Sequence, residues 1–238
     1  MPRRIASQKK ETIVLKLSGS LFFSKEFDLV AASLRKVLRQ KKNIRLVVVT
    51  GGGKTAREYI DAAVRLGADQ SSIDELGIEV SRSNALVLIK ALGSLAVDSV
   101  PATLEELVEA FEVSSRGKRA VVMGGLHPGQ STNAVGALVS EKLGAKMFLN
   151  ATDVDGVYTK DPRKFKDAKR LSKVTTKQLG KILNTETMRA GGYDLMDPVA
   201  LKLIERSKIK TRIIKCSAPT INSILMRRKN VGTSVSFN

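Results

Sequence analysis

Small residues gather at three points along this chain, and each gathering closes a short apolar run. Ser18-Gly19-Ser20 follows residues 12–17, Gly51-Gly52-Gly53 follows 44–49, and Gly124-Gly125 follows 119–123. Glycine lets a backbone approach a phosphate closely, and a helix opening just beyond it offers free N–H groups and a positive dipole. Cations stand beside two of these loops: Lys16 lies two residues before Ser18, and Arg57 lies one turn past Gly53. Such a set suits the gripping of anionic oxygen. Nucleophilic and metal chemistry is poorly supplied, because His127 is the one histidine and Cys216 the one cysteine. One cysteine makes no cysteine cage, and one histidine disfavours both a histidine metal site and a Cys–His nucleophile. His127 reads as a hydrogen-bonding loop residue and Cys216 as a bland thiol at a strand end.

Two tempting motifs are weaker than they look. Gly53-Lys54-Thr55 imitates the end of a Walker loop, but the glycine required five positions before Gly53 is Val48. Gly51-Gly52-Gly53-Lys54-Thr55-Ala56 satisfies the relaxed dinucleotide fingerprint, with Asp69 and Asp74 about 20 residues on. Three consecutive glycines meet that pattern easily. Lys16 has two readings: a lone cation aimed from an apolar strand into a site, or an edge-strand lysine reaching water.

The elements that must position these residues follow from periodicity. Residues 12–17, 44–49, 119–123 and 146–151 read as buried strands, with 211–215 and 233–237 to follow. Helical spacing is expected over 27–42, 54–66, 131–143, 175–183, 197–207 and 220–228. Ser72 with Glu75, and Thr103 with Glu106, fit capping boxes, the first opening a long helix toward Ala96. Asp155-Gly156 is a strong turn pair and predicts a hairpin over 153–158. Strands alternating with helices give an α/β class, a three-layer α/β/α arrangement with a mostly parallel central sheet. All three glycine loops then sit at carboxyl ends of strands, where open α/β sheets bind ligands.

Composition narrows the partners. Lys and Arg exceed Asp and Glu by 41 − 23 = +18 across 238 residues, which suits an anionic partner without choosing one. Aromatics are 4% with no Trp, poor material for stacking bases, so a nucleic-acid role is disfavoured against a generally charged surface. The apolar run 85–97 is interrupted by Lys90, so no membrane span is expected, and the basic residues 1–10 lack the apolar stretch of a signal peptide. An intracellular soluble protein is the expectation.

In this order, the segments Leu15-Lys-Leu-Ser-Gly-Ser20, Val49-Thr-Gly-Gly-Gly-Lys-Thr-Ala-Arg57, Gly124-Gly-Leu-His-Pro-Gly-Gln-Ser-Thr132, Ala151-Thr-Asp-Val-Asp-Gly-Val-Tyr-Thr-Lys-Asp-Pro162 and Leu195-Met-Asp-Pro-Val-Ala-Leu-Lys202 resemble the amino-acid kinase superfamily, and within it the uridylate (UMP) kinases of archaeal type. The resemblance implies ATP-dependent phosphorylation of UMP to UDP by direct transfer. It assigns Gly19, Ser20, Gly53 and Arg57 to the ATP phosphates, and Thr152, Asp153, Tyr158 and Asp161 to the rest of ATP. It assigns Gly52, Asp74 and the loop Leu126, His127, Pro128, Gly129, Gln130, Ser131 and Thr132 to UMP. Lys16 matches a lysine that neutralises charge on the transferred phosphoryl group, and Asp197 an acid that orients the basic groups. Asn133 and Asp153 depart from family members that carry Asp and Asn there. The resemblance further implies one kinase domain over 12–238 behind a basic tail, residues 1–11. Its part 12–150 would serve UMP and its part 151–238 ATP. Mg²⁺ would be carried with ATP rather than by a protein metal site, and the assembly would be a cytoplasmic homo-oligomer, often a hexamer. The alternatives are another small-molecule kinase of the same fold (isopentenyl phosphate, acetylglutamate or carbamate), a non-catalytic nucleotide- or nucleic-acid-binding protein, and a dinucleotide-dependent oxidoreductase. The isopentenyl phosphate enzymes carry a histidine in the loop after the triple glycine, where this chain has Lys54-Thr-Ala-Arg57.

Overall fold

A computed structural model describes residues 10–184 and 195–237. The chain begins with β1 (Glu11–Leu17), α1 (Glu26–Gln40), β2 (Ile44–Thr50), α2 (Gly53–Arg65), α3 (Gln70–Leu92), α4 (Leu104–Val113) and β3 (Ala120–Met123). It continues with α5 (Thr132–Lys142), β4 (Met147–Thr152), β5 (Val157–Tyr158), β6 (Arg170–Leu171), β7 (Lys173–Thr175) and α6 (Thr176–Leu183). The last elements are α7 (Pro198–Arg206), β8 (Thr211–Lys215), α8 (Ala218–Leu225) and β9 (Thr233–Ser236).

Seven strands make one sheet in the order β3-β2-β1-β4-β8-β9-β7, parallel throughout except where β9 runs against β8. Alternation along β1 sends Ile13, Leu15 and Leu17 to one face and Val14 to the other. The first face packs on α1, α3 and α8 through residues such as Leu34, Leu88 and Ile221. The second packs on α4, α5 and α7 through Leu107, Val135 and Ile204. The three-layer α/β/α arrangement expected from the sequence is what forms, because runs buried on both faces must be covered from both sides.

The chain lays β2 and β3 outward on one side of β1 and then crosses to place β4 on the other. That reversal opens a crevice at the carboxyl ends of β1 and β4, the switch point at which such sheets receive ligands. Central placement of β1 also removes the edge-strand reading of Lys16, which lies in register between Val49 and Asn150.

Local expectations are corrected in three places. The long helix α3 is capped by Asp69, whose carboxylate accepts from the Ser72 N–H at 3.1 Å and the Ser72 hydroxyl at 2.6 Å. Ser72 is thereby drawn inside the first turn and is not the cap. Thr103 does cap α4, accepting from the Glu106 N–H at 3.1 Å, but the Glu106 carboxylate reaches the Ala102 N–H at 2.7 Å, one residue further out. A complete capping box forms instead at Thr175 and Gln178. The hairpin expected around Asp155-Gly156 is absent: β5 pairs antiparallel with the distant β6. Val154 and Val157 both enter the core, and the Asp155 carboxylate is taken by the Tyr158 hydroxyl at 2.6 Å, so 153–158 cannot lie as two facing strands.

Candidate active site

Two glycine loops meet backbone to backbone. A Cβ on Gly19 would lie 2.2 Å from the Gly53 nitrogen, and one on Gly53, at φ +69°, would lie 2.4 Å from the Gly19 carbonyl carbon. No side chain fits there, which is the physical reason for glycine at both positions. The Gly51 N–H reaches the Leu17 carbonyl at 3.0 Å and the Ser18 N–H reaches the Ala151 carbonyl at 3.1 Å, so both loops are pinned to the ends of β1 and β4. Helix α2 begins at Gly53 with Gly52 at its cap and no side chain accepting from its first turn. Its leading N–H groups are therefore left without a side-chain acceptor, the condition under which a helix N-terminus can take an anion. Arg57 is exposed on the same helix, whereas Lys54 pairs with Glu58 at 3.4 Å on the surface, away from any Walker-type role.

The long helix α3 stitches these loops down with polar groups on its buried side. Asn84 Nδ2 donates to the Gly51 carbonyl at 2.8 Å, and the Thr50 hydroxyl points at the carbonyls of Ser81 and Met123. The Ser81 hydroxyl accepts from the Gly125 N–H at 2.7 Å. Arg82 adds Nε to the Gly125 carbonyl at 3.2 Å and Nη2 to the Leu126 carbonyl at 3.3 Å. Ser81, Arg82 and Asn84 were missed from the sequence. The available signal was a set of hydrogen-bonding residues on the apolar side of a helix.

The third loop closes the other wall. Asp74, at the start of α3, accepts from the Gly129 N–H at 2.7 Å, bringing together two groups that lie 55 residues apart. Thr132 Oγ1 stands beside Gly51, 3.5 Å from where a Cβ would be. His127, Pro128 and Gly129 are exposed, and Gln130 is half-buried. Leu126 is buried in the core, so it contributes backbone rather than side chain to any ligand. Ser131 caps α5, accepting from the N–H groups of Asn133 and Ala134 at 3.1 Å.

From Ser131 the site crosses to the second half of the chain. Its hydroxyl donates to Asp197, and the other Asp197 oxygen accepts from the Ala200 N–H at 3.0 Å as the cap of α7. Among the described residues no Lys or Arg pairs with Asp197. Its contacts are to a hydroxyl and a backbone amide, which join the two helix caps. Asn150, fully buried in β4, donates to the Leu195 carbonyl at 2.6 Å and so steadies the approach to Asp197. Lys16 is half-buried and lies on the same sheet face as Asn150. It faces α5 at Gly136, where a Cβ would come 3.7 Å from Lys16 Cβ and 2.6 Å from the Phe148 ring.

The remaining wall is held by ion pairs. Asp161 has no exposed surface. Arg163 forks onto it, Nε to Oδ1 and Nη2 to Oδ2, both at 3.1 Å, and the Arg163 N–H adds a third bond at 3.0 Å. Arg163 Nη1 reaches Asp153 at 3.2 Å. The hydrogen bonds from Arg163 hold the Asp161 carboxyl below the usual range. Tyr158 donates to Asp155, which raises the phenol's pKa. The Thr152 hydroxyl closes a local turn onto Val154. A recess of about 190 Å³ opens between this wall and the first glycine loop, lined by Ser20, Thr152, Asp153, Lys215 and Cys216 among others. Arg163 and Lys215 were not found from the sequence, because isolated basic residues in a lysine-rich chain carry no pattern. Burial pushes the Cys216 thiol up to about 11, which keeps it protonated and unreactive at neutral pH.

The arrangement can receive two anions side by side, one at the paired glycine loops and one at the loop 126–132, with Lys16 on the sheet between them. Comparison with known proteins agrees with this geometry. A uridylate kinase of Sulfurisphaera tokodaii is 45% identical over 228 residues, covering 94% of this chain and 98% of that one. A uridylate kinase of Sulfolobus acidocaldarius is 46% identical over 205 residues, covering 85% of this chain and 88% of that one. The solved structure of uridylate kinase from Archaeoglobus fulgidus matches with a TM-score of 0.81 at 37% identity, covering 94% of this chain and 99% of that chain. The amino acid kinase family itself matches over residues 11–215, and the chain belongs to that family.

Proposed function

We propose that this protein is a uridylate kinase, which transfers the γ-phosphoryl group of ATP to a phosphate oxygen of UMP and releases UDP and ADP. The observation that carries the reading is the meeting of three anion-receiving loops at the switch point of the sheet, in a chain 45% identical to a uridylate kinase over nearly its whole length. An acceptor oxygen of the UMP phosphate attacks the γ-phosphorus while the bond to the bridging oxygen of ADP breaks. That phosphate is mostly dianionic at neutral pH, since its second pKa is about 6, so no general base is required. The barrier is lowered by holding the two phosphates in line and by placing positive charge on the equatorial oxygens. In this reading Gly19, Ser20, Gly53 and Arg57 hold the ATP phosphates, and Thr152, Asp153, Tyr158 and Asp161 shape the nucleoside wall. Gly52, Asp74 and residues 126–132 hold UMP. Lys16 neutralises the migrating group, and Asp197 keeps the caps of α5 and α7 in register across the site.

A divalent metal fits on particular terms. Among the described residues no three His, Cys, Asp or Glu side chains gather as a cage. Gln130 Oε1 and Asn133 Oδ1 are buried oxygens without a hydrogen-bond partner, suited to accept from water on a metal carried by phosphates. Bound in that way, Mg²⁺ supplies charge neutralisation. Exposed apolar side chains on α2 and α3, among them Tyr59, Val64, Leu86 and Val87, support a homo-oligomer, for which the hexamer is the expected form. Among the described residues no helix is long and apolar enough to cross a membrane, and the cytoplasm is the proposed location because ATP and UMP meet there.

The experiment is ADP release with Mg-ATP and a panel of acceptors: UMP, CMP, dUMP, AMP, acetylglutamate and isopentenyl phosphate. Preferred turnover of UMP is the expected result. Turnover confined to a non-nucleotide acceptor would move the chain to another activity of the same fold, and a folded protein that turns over none of them would be a binding protein.

A further inference from the structure

The amino ends of the same strands carry a second recess, on the opposite edge of the sheet from the glycine loops. Ile13, Ile44, Met147 and Ile224 line it, and its volume is about 150 Å³. The length of β1 separates it from the loop at Ser18, about 20 Å at the rise of an extended strand. The recess opens to the surface, and its apolar floor has room for a benzene-sized ring.

The rim is strongly one-sided in charge. Arg212, Arg228, Lys229 and Lys146 face a single carboxylate, that of Glu11. Glu11 is already engaged, by Lys146 and by Arg228 at 3.6 Å. Arg212 differs from the other cations. It is half-buried, with Nε on the Val231 carbonyl at 3.0 Å and Nη1 on Asn230 Oδ1 at 3.3 Å. Among the described residues it pairs with no carboxylate, and Nη2 makes no hydrogen bond. Burial pulls the pKa of its guanidinium down, with no opposing charge to restore it. A partly desolvated cation without a paired carboxylate keeps an open donor toward the recess, and an anion arriving there forms a charge-assisted hydrogen bond with it.

We propose that this recess binds a small ring compound bearing one anionic group, with the ring among Ile13, Ile44 and Ile224 and the carboxylate or phosphate on Arg212. The site is independent of the nucleotide crevice, and the proposal stands whether or not the chain phosphorylates UMP.

The test is calorimetric titration of the full chain with benzoate and with phenyl phosphate, in the presence of saturating UMP and a non-hydrolysable ATP analogue to occupy the crevice. At least one probe is expected to bind with a Kd below about 1 mM, and the one that binds tells whether carboxylate or phosphate is preferred. Inorganic phosphate and benzyl alcohol, each lacking half of the ligand, are expected to bind at least about tenfold more weakly. Two variants attack the two halves of the site: Arg212→Met removes the charge, and Ile224→Trp fills the space without touching it. Each is expected to weaken the probe by about tenfold or more while phosphoryl transfer stays within about twofold. Three results would overturn the proposal: no heat from either probe, equal affinity for inorganic phosphate, or binding that survives Ile224→Trp in a folded protein.

Discussion

The two walls of the crevice are built on different physics. On the side of α2, α3 and the loop 126–132, glycine backbones touch, and hydrogen bonds to backbone hold them, from the neutral Ser81, Asn84 and Thr50 and from the single charges of Arg82 and Asp74, with no ion pair across the loops among the described residues. On the side of residues 153–170, charged pairs hold the chain: Arg163 to Asp161 and Asp153, Arg170 to Asp155, and Lys160 to Asp167. The first wall has almost no freedom to adjust, because a single methyl group collides with backbone. The second can loosen by degrees, because Arg163 keeps 43% of its side chain exposed and its pairs are open to water and salt. Steric exclusion should therefore fail abruptly, and the ionic clasp should fail gradually.

Changes on the rigid wall should produce the largest effects. Gly19→Ala puts a Cβ 2.2 Å from the Gly53 nitrogen, so the loops must part. Misplacement on the order of 1 Å can cost about 10²-fold, and steady-state kcat/KM of this variant should fall by at least about that factor. Asn84→Ala tests the stitching separately. It strands the Gly51 carbonyl in the interior, and thermal unfolding should report a loss of about 1–3 kcal/mol.

Changes on the ionic wall should be smaller and graded. Arg163→Met removes the fork from Asp161 and should raise KM for ATP by about tenfold, with KM for UMP nearly unchanged. Equal losses for both substrates would erase the distinction between the walls. Acid gives a second handle. Asp161 titrates below its ordinary value in the folded chain, so its contribution is complete above about pH 4, where an unperturbed Asp is ionised, and is lost as pH falls through the lower folded value. Hydrogen exchange followed down to about pH 3 should show residues 153–163 opening before the α3 stitches do. The smallest effect is expected at Cys216. With its thiol pushed up to about 11, labelling by iodoacetamide at neutral pH should be slow, and the labelled fraction should stay low until the protein unfolds.

This contrast also explains what was legible beforehand. Glycine loops at strand ends announce themselves, because only glycine permits such contact and because strands and helices are read from periodicity. Hence the sheet and the loops at 19, 51–53 and 124–125 came from residue types alone, whereas the choice between the edge and the central place of Lys16 was made by the strand order. The pairing of Asp74 with Gly129 did not, nor did Ser131 with Asp197, since each joins positions more than 50 residues apart. Arg163 was hidden among the basic residues of 160–181, most of which are exposed. The expected hairpin at Asp155-Gly156 failed for a related reason: turn propensity is local, while burial of Val154 and Val157 and capture of the Asp155 carboxylate are decided by the rest of the fold.

Lys16 decides the account most directly, because it alone is asked to act on the transition state and not on either substrate at rest. The measurement is kcat for Lys16→Ala at saturating Mg-ATP and UMP, beside the Kd of UMP for the same variant by calorimetry. Removing one well-placed charge from a developing oxyanion costs about 10²–10³ in kcat, and that loss is predicted here with UMP affinity held within about threefold. A variant that loses UMP affinity as steeply as turnover, or that turns over at the parental rate, would contradict it.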